Sequence, residues 1–120
     1  MKFLKIIPIL SIATVGIFSS CTHEPDLSNQ PTISFVNDIQ PLIGTNCSTS
    51  GCHDGSNELI TLESYDEILK IVKPNKARDS ELYQNITKLY GEQAMPPSKP
   101  LTEGQIQTIY LWIMQGAQNN

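Results

Sequence analysis

The sequence predicts an all-α protein, a single compact domain of about four helices. Apolar residues recur at the three- and four-residue spacing of a helix face in several segments. Two segments carry the capping-box pattern that starts a helix, Ser64 with Glu67 and Thr102 with Gln105. No segment alternates apolar and polar residues as a half-buried strand does, and 120 residues correspond to one domain.

The first two helices flank a cysteine-rich stretch. Asp38 can cap a short helix that has Pro41 in its first turn, where a missing N–H costs little. The second helix follows Ser64, and Pro74 stops it, with Asn75 able to adopt the left-handed conformation in the turn. Its predicted apolar face consists of Tyr65, Ile68, Leu69 and Val72. Residues 58–62 are interpreted as a brief link.

The third and fourth helices occupy the second half of the chain. Asp79 or Ser80 caps the third, and Gly91 ends it. Its helical register is set by Leu82, Ile86, Leu89 and Tyr90. The last helix, after Thr102, carries the longest stripe: Ile106, Ile109, Tyr110, Ile113 and Ala117. It is apolar on more than one side, which suits packing against both the first helix and the region around Cys47.

The N-terminus has the pattern of an exported lipoprotein. A short basic start precedes the apolar run Ile6–Phe18, which is too short to span a bilayer and is typical of an export signal. The run ends in two serines and Cys21, which resembles a bacterial lipobox. We expect a signal peptide at 1–20, a lipidated Cys21 on a flexible tether at 21–33, and a domain at 34–118. The alternative is an ordinary signal peptide with an incidental Cys21.

The protein is therefore predicted to lie on the periplasmic side of a bacterial membrane, where a lipid anchor holds it. Removal of the leader takes away Lys2 and Lys5, which leaves 8 − 2 = 6 basic and 12 acidic side chains, a net charge of −6. Such a surface does not bind nucleic acid by charge. A protein partner that binds through charge is expected to present a positive patch.

The pattern Cys47–Cys52–His53 indicates covalent haem attachment. Each thiol can form a thioether with a haem vinyl group, and the adjacent histidine then ligates the iron. Four residues separate the cysteines instead of the usual two, and they are small and favour a turn. One alternative is a local disulfide between the cysteines. Zinc fits poorly, because a closed structural site needs four ligands.

Met95 is the expected second axial ligand. It lies outside any helical pattern and precedes Pro96 and Pro97, which stiffen the backbone. Ligation by histidine and methionine raises the reduction potential of a haem. The rival Met114 lies within an apolar helix, where methionine usually fills the core, and His23 is a remote alternative in the tether.

The ring N–H of the axial histidine needs an acceptor to fix its orientation. Backbone carbonyls between residues 59 and 74 are candidates for this role. Side chains able to contact the haem propionates are Lys76, Arg78, Tyr65 and Tyr83, although each of them also fits an ordinary turn or helix face.

The region from about Ser34 to Ala117 resembles the small c-type cytochrome domains found in envelope lipoproteins of Gram-negative bacteria, including the planctomycete-type cytochrome c domain. The matching stretches are Asp38-Ile39-Gln40-Pro41-Leu42, Gly51-Cys52-His53, Ser64-Tyr65-Asp66, Ser80-Glu81-Leu82-Tyr83, Met95-Pro96-Pro97 and Trp112-Ile113-Met114-Gln115-Gly116-Ala117. The resemblance implies a cytochrome c fold wrapped around one haem, with crossing terminal helices. It also implies haem c attached at Cys47 and Cys52, with His53 and Met95 on the iron.

The expected function is that of a tethered electron carrier between periplasmic or membrane redox proteins. No nucleophile–base pair or paired carboxylates stand out, so we do not expect an enzyme. Two alternatives stay open. Met95 can be displaceable, which would make the protein a haem-based sensor or peroxidase-like protein, or the chain can be a haem-free lipoprotein with a Cys47–Cys52 disulfide.

Overall fold

The computed structural model describes residues 25–87 and 94–120, and all regular elements within them are helical. The α-helices are α1 (Gln40–Asn46), α2 (Tyr65–Leu69), α3 (Glu81–Thr87) and α4 (Glu103–Met114), with a π-helical turn at Phe35–Ile39 and a 3-10 turn at Ala77–Asp79. Within these ranges no helix has the length and apolar character needed to cross a membrane. The prediction of an all-α domain with four helices is thus confirmed for the described residues.

The first helical segment starts earlier than the sequence predicted. Ser34, and not Asp38, is the cap: its hydroxyl accepts from the Asn37 N–H at 3.2 Å. The Asp38 carboxylate instead reaches back to accept from the Ser34 N–H at 2.8 Å. A π-helical turn then leads into α1, which has Pro41 in its first turn as expected.

The second helix begins where the sequence predicted but is shorter than expected. Ser64 and Glu67 form the capping box. The α-helix ends at Leu69, and the chain then tightens, because the Val72 N–H donates to the Leu69 carbonyl three residues back. Val72 is nevertheless buried. Asn75 has a φ of 64°, the left-handed conformation expected of it.

The residue before the third helix is hydrogen-bonded to the preceding loop, and it does not form the predicted side-chain cap. Ser80 directly precedes α3 and is fully buried, but its hydroxyl accepts from the Lys73 N–H at 2.8 Å and donates to the Lys76 carbonyl at 2.9 Å. The Leu82 N–H in the first turn donates to the Ile71 carbonyl at 3.0 Å. The expected end of this helix, at Gly91, lies outside the described residues.

The last helix has the predicted capping box and a defined C-terminus. The Ala117 N–H donates to the Trp112 carbonyl, and the Gly116 N–H donates to the Ile113 carbonyl, which together make a Schellman motif. Gly116 has a φ of 96°, which glycine adopts without strain. Ala117 therefore lies beyond the end of the helix, where it is buried. The sequence analysis had placed it in the apolar stripe of the helix, and this part of the prediction was wrong.

The core lies between α4 and the first helical segment. Ile109, Trp112 and Ile113 of α4 are fully buried, as are Ile39 and Ile43 on the opposite side. The π-helical turn and α3 both contact α4, so the last helix is covered on more than one side. Burial of these large side chains is the main favourable contribution to folding, about 1.5 to 3 kcal/mol for each.

The two ends of the domain are hydrogen-bonded to each other. Asn120 accepts from the Phe35 N–H through its side chain and from the Val36 N–H through its backbone. The Gln115 amide bonds the backbone of Pro31 and Ile33, which the sequence had assigned to the tether. The predicted signal peptide, the lipidation site Cys21 and His23 lie outside the described residues.

Replacement of the buried Ser80 tests the connection between α3 and the preceding loop. We expect Ser80→Ala to lower the free energy of unfolding by about 1 to 3 kcal/mol, because the Lys73 N–H and the Lys76 carbonyl lose their buried partner. Denaturant titration measures the change. Ser98→Ala, at an exposed position, is the control and is expected to change the value by less than about 0.5 kcal/mol. Equal values for the two variants would contradict the prediction.

Candidate cofactor site

One pocket brings together the four residues that the sequence singled out for haem binding. Cys47, Cys52, His53 and Met95 all line it, although Met95 is far from the other three in the chain. Most of the remaining wall is apolar and includes Leu59, Ile60, Leu62, Ile71, Leu82 and Ile86. The cavity measures about 240 Å³. That is close to the lower end of the roughly 300–1,000 Å³ of small-molecule sites, so a large flat ligand would keep one edge in solvent.

The loop between the two cysteines forms a closed bulge. Cys47 directly follows α1, and its N–H donates to the Ile43 carbonyl at 2.7 Å. The ends of the loop are joined, because the His53 N–H donates to the Cys47 carbonyl at 3.2 Å. Within the loop, Gly51 has a φ of 79°, a conformation that favours glycine. Thr49 and Ser50, in the middle of the loop, are exposed, whereas Cys47 and Cys52 both line the pocket.

The imidazole of His53 is oriented by a backbone carbonyl. Its Nδ1 lies 2.7 Å from the Ile60 oxygen. A carbonyl oxygen only accepts hydrogen bonds, so Nδ1 carries the proton and Nε2 of the neutral ring retains its lone pair for a metal. Ile60 lies within the stretch expected to supply the acceptor. The His53 backbone is held as well, since its carbonyl accepts from the Leu62 N–H at 3.0 Å.

The two thiols occupy different environments. Cys47 is buried and Cys52 is exposed, and no disulfide joins them. Burial, with a smaller contribution from the nearby Cys52, raises the pKa of the Cys47 thiol to about 11. Cys47 is thus a neutral thiol at physiological pH and a poor thiolate ligand. In the part of the chain that the structure describes, no three His, Cys, Asp or Glu side chains converge on a metal position.

The two methionines within the described ranges have distinct surroundings. Met95 is 42% exposed, lines the pocket, and is tied to α3 through its N–H, which donates to the Asn85 carbonyl at 2.9 Å. Met114 is packed against the core away from the pocket, and its sulfur lies 3.5 Å from the Ala77 N–H. Met95 is therefore the one that shares a pocket with His53.

Exposed apolar side chains gather at the mouth of this pocket. Leu59 is 54% exposed and Ile60 39%, and with Met95 they account for three of the four large apolar side chains exposed in the described ranges. Clustered apolar surface of this kind marks a ligand or partner site. An apolar macrocycle would cover these side chains, so the residues present fit a haem.

The side chains considered for the haem propionates lie outside the pocket, as their alternative interpretation as turn or helix-face residues implies. None of Lys76, Arg78, Tyr65 and Tyr83 lines the pocket. The Tyr65 hydroxyl donates to the Ala117 carbonyl at 2.9 Å. The polar side chains at the walls are those of Asn46, Glu81 and Asn85. No residue of α4 contributes to the pocket, so its expected packing against the cysteine region does not extend to the pocket walls.

The walls at residues 59–62 were missed as part of the site, because this stretch was interpreted as a link. A signal was present, since Leu59, Ile60 and Leu62 are apolar residues between polar neighbours and outside any helical pattern. Leu82 and Ile86 of α3 were identified as one helix face, but the sequence did not indicate that this face borders a pocket.

Comparisons of the chain with protein-family models, curated proteins and solved structures give no match. A function for this chain is therefore inferred from the pocket and from the side chains that line it.

The difference between the thiols predicts selective alkylation of the haem-free chain. In a Cys21→Ser variant at pH 8, iodoacetamide should label Cys52 at least about tenfold faster than Cys47, because only the thiolate reacts. The Cys47 rate should rise as the pH approaches its raised pKa of about 11. Mass spectrometry of digested samples measures both rates, with Cys52 as the internal control. Equal labelling at pH 8 would contradict the burial of Cys47.

Proposed function

We propose that this chain is a monohaem c-type cytochrome that carries electrons on the periplasmic side of a bacterial membrane. One observation carries the proposal. The Nδ1 atom of His53 is bound to the Ile60 carbonyl, which leaves Nε2 available in an apolar pocket. That pocket also holds both cysteines of the attachment motif and a methionine.

Each residue of the pocket has a separate role in holding the cofactor. Cys47 and Cys52 would form the two thioether bonds, and a neutral thioether sulfur suits the buried position of Cys47. His53 would ligate the iron from one side and Met95 from the other. The haem, once bound, supplies an iron that alternates between the ferrous and ferric states and so carries one electron.

The surroundings of Met95 suit an electron carrier. A thioether ligand favours ferrous iron, and the two prolines that follow restrict the backbone that carries it. The hydrogen bond from the Met95 N–H to Asn85 holds the segment against α3. A ligand that moves little between oxidation states keeps the barrier to electron transfer low. If His53 and Met95 both held the iron, it would have no open site for a substrate.

The helical arrangement supports a cytochrome c fold. The first helical segment packs against the last helix, α4, and hydrogen bonds through Asn120 join the two ends of the domain. A short helix, α1, leads directly into the attachment loop. These features agree with the crossing terminal helices that the resemblance to small c-type cytochromes implies.

We further propose that Cys21 is lipidated and holds the protein at the membrane. Two or more acyl chains anchor a protein stably, whereas a single chain does not. The net charge of −6 after residue 20 favours a redox partner with a basic surface. Both parts of this proposal come from the sequence, since residues 1–24 lie outside the described ranges.

A second candidate function is supported by the exposure of Met95. Its side chain is 42% exposed, which would allow a small ligand to reach and replace it. The protein would then be a haem-based sensor or a peroxidase-like protein. The two functions differ in how readily the native protein binds carbon monoxide.

Haem attachment is tested by intact mass and by a pyridine haemochrome spectrum of the protein produced with a cytochrome maturation system. The chain should gain the mass of one haem that denaturation does not remove. Cys47→Ala and Cys52→Ala should each retain one thioether and shift the haemochrome band to longer wavelength. Cys21→Ser, the control, should lose the lipid and keep both thioethers. A mature chain no heavier than its amino acids and lipid would refute the proposal.

The axial ligand is tested by Met95→Leu, with Met114→Leu as its volume-matched control. Met95→Leu should convert the spectrum from low to high spin, whereas Met114→Leu should leave it low spin. The native protein should bind carbon monoxide slowly and weakly, and the Met95 variant should bind it readily. Rapid binding by the native protein would favour the sensor function, and a low-spin Met95→Leu variant would exclude Met95 as the ligand.

A further inference from the structure

The orientation of His53 depends on two chain segments that the loop of residues 54–58 connects. One segment carries the imidazole itself, and the other carries the Ile60 carbonyl that accepts from Nδ1. The residues between them are mostly exposed and form turns without regular structure. The Leu62 N–H joins the two segments on the far side of Ile60, where it donates to the His53 carbonyl. Contacts within the loop hold the near side.

Asn57 makes hydrogen bonds to both segments. Its Nδ2 donates to the Gly51 carbonyl at 3.0 Å and to the Cys52 carbonyl at 2.9 Å. Its Oδ1 accepts from the Leu59 N–H at 2.8 Å, next to Ile60. The Asn57 side chain thus joins the backbone of Cys52, next to His53, to the backbone of Leu59, next to Ile60.

The pattern selects an asparagine at this position. The amide nitrogen has two protons, and both are used on carbonyl oxygens, while the amide oxygen accepts from an N–H. If the amide were flipped, its oxygen would face the two carbonyls, so one orientation is favoured. An aspartate could still accept from the Leu59 N–H but would repel the Gly51 and Cys52 carbonyls.

A second side chain of residues 54–58, that of Asp54, also bonds the loop between the cysteines. The Asp54 carboxylate accepts from the Gly51 N–H at 3.3 Å and from the Ser56 hydroxyl at 2.6 Å. Both backbone groups of Gly51 are therefore held by side chains that follow His53. Gly51 is the last of the four residues between the cysteines, so these contacts fix the end of the bulge where it returns to the pocket.

We propose that Asn57 is a positioning residue for His53: it fixes the ring relative to the Ile60 carbonyl and thereby the direction of Nε2. This inference rests on the proposed haem function and adds how a loop with four residues between its cysteines presents the histidine. A hydrogen bond from Nδ1–H to a carbonyl increases the basicity of a metal-bound imidazole and stabilises the ferric state. Loss of Asn57 should weaken that bond and raise the reduction potential.

The test compares Asn57→Ala and Asn57→Asp with Ser50→Ala in the full haem-attached chain. Ser50 is the control because it is exposed and adjacent to Gly51, and its side chain takes no part in the contacts described above. The readouts are the reduction potential and the solvent exchange rate of the His53 Nδ1 proton in the ferrous protein, measured by NMR. Both Asn57 variants should show roughly tenfold faster exchange, because the bonds that keep the contact closed are lost. Asn57→Ala should also have a higher potential, whereas Asn57→Asp is compared by exchange alone, because its added negative charge by itself favours the ferric state. Ser50→Ala should match the wild type.

The outcomes separate this inference from the proposed function. Wild-type protein without covalent haem would refute the proposed function. Haem-attached Asn57→Ala with an unchanged potential and unchanged Nδ1 exchange would overturn the positioning role, even if its unfolding free energy fell. Should Asn57→Ala fail to fold, the Nδ1 exchange rate of Asn57→Asp decides, because this variant keeps the bond to the Leu59 N–H and loses the favourable contacts with the Gly51 and Cys52 carbonyls.

Discussion

The hydrogen bond between His53 Nδ1 and the Ile60 carbonyl is the contact on which the site depends. It selects the tautomer that leaves Nε2 unprotonated, and it points the ring into the pocket. The carbonyl belongs to an irregular segment, which is anchored where the Ser48 hydroxyl donates to the Leu62 carbonyl at 2.8 Å. The ring of His53 has a defined orientation because this segment folds back over the loop between the cysteines.

The pocket has apolar walls because three separate segments converge on the cysteine loop. Residues 59–62 form one wall, α3 supplies Leu82 and Ile86, and the methionine–proline segment closes a third side. Ser80 links the start of α3 to the loop at residues 73–76 with buried hydrogen bonds. Helix α4 packs against α3, and none of its residues lines the pocket. Several walls of the pocket, among them Leu62, Leu82 and Ile86, also belong to the hydrophobic core.

The described fold was predictable where local chemistry determines it. Both capping boxes formed as expected, because each involves residues only three positions apart. The left-handed Asn75 and Pro41 in the first turn likewise follow from backbone preferences. Ser80 directly precedes α3, as predicted, but its buried hydroxyl bonds to the Lys73 and Lys76 backbone instead of its own helix. Ala117 continued an apolar stripe in the sequence, but the Schellman turn at Gly116 ends the helix before it.

The sequence by itself determined the helical class and the helix starts set by capping boxes, and it singled out the residues of the proposed haem site. The tertiary structure alone decided which methionine shares a pocket with His53, which carbonyl accepts from its ring, and which side chains form the walls. Capping and periodicity act within a few residues, so they can be read along the chain. A pocket joins Cys47 to Met95 across many intervening residues, and their meeting depends on how the whole core packs.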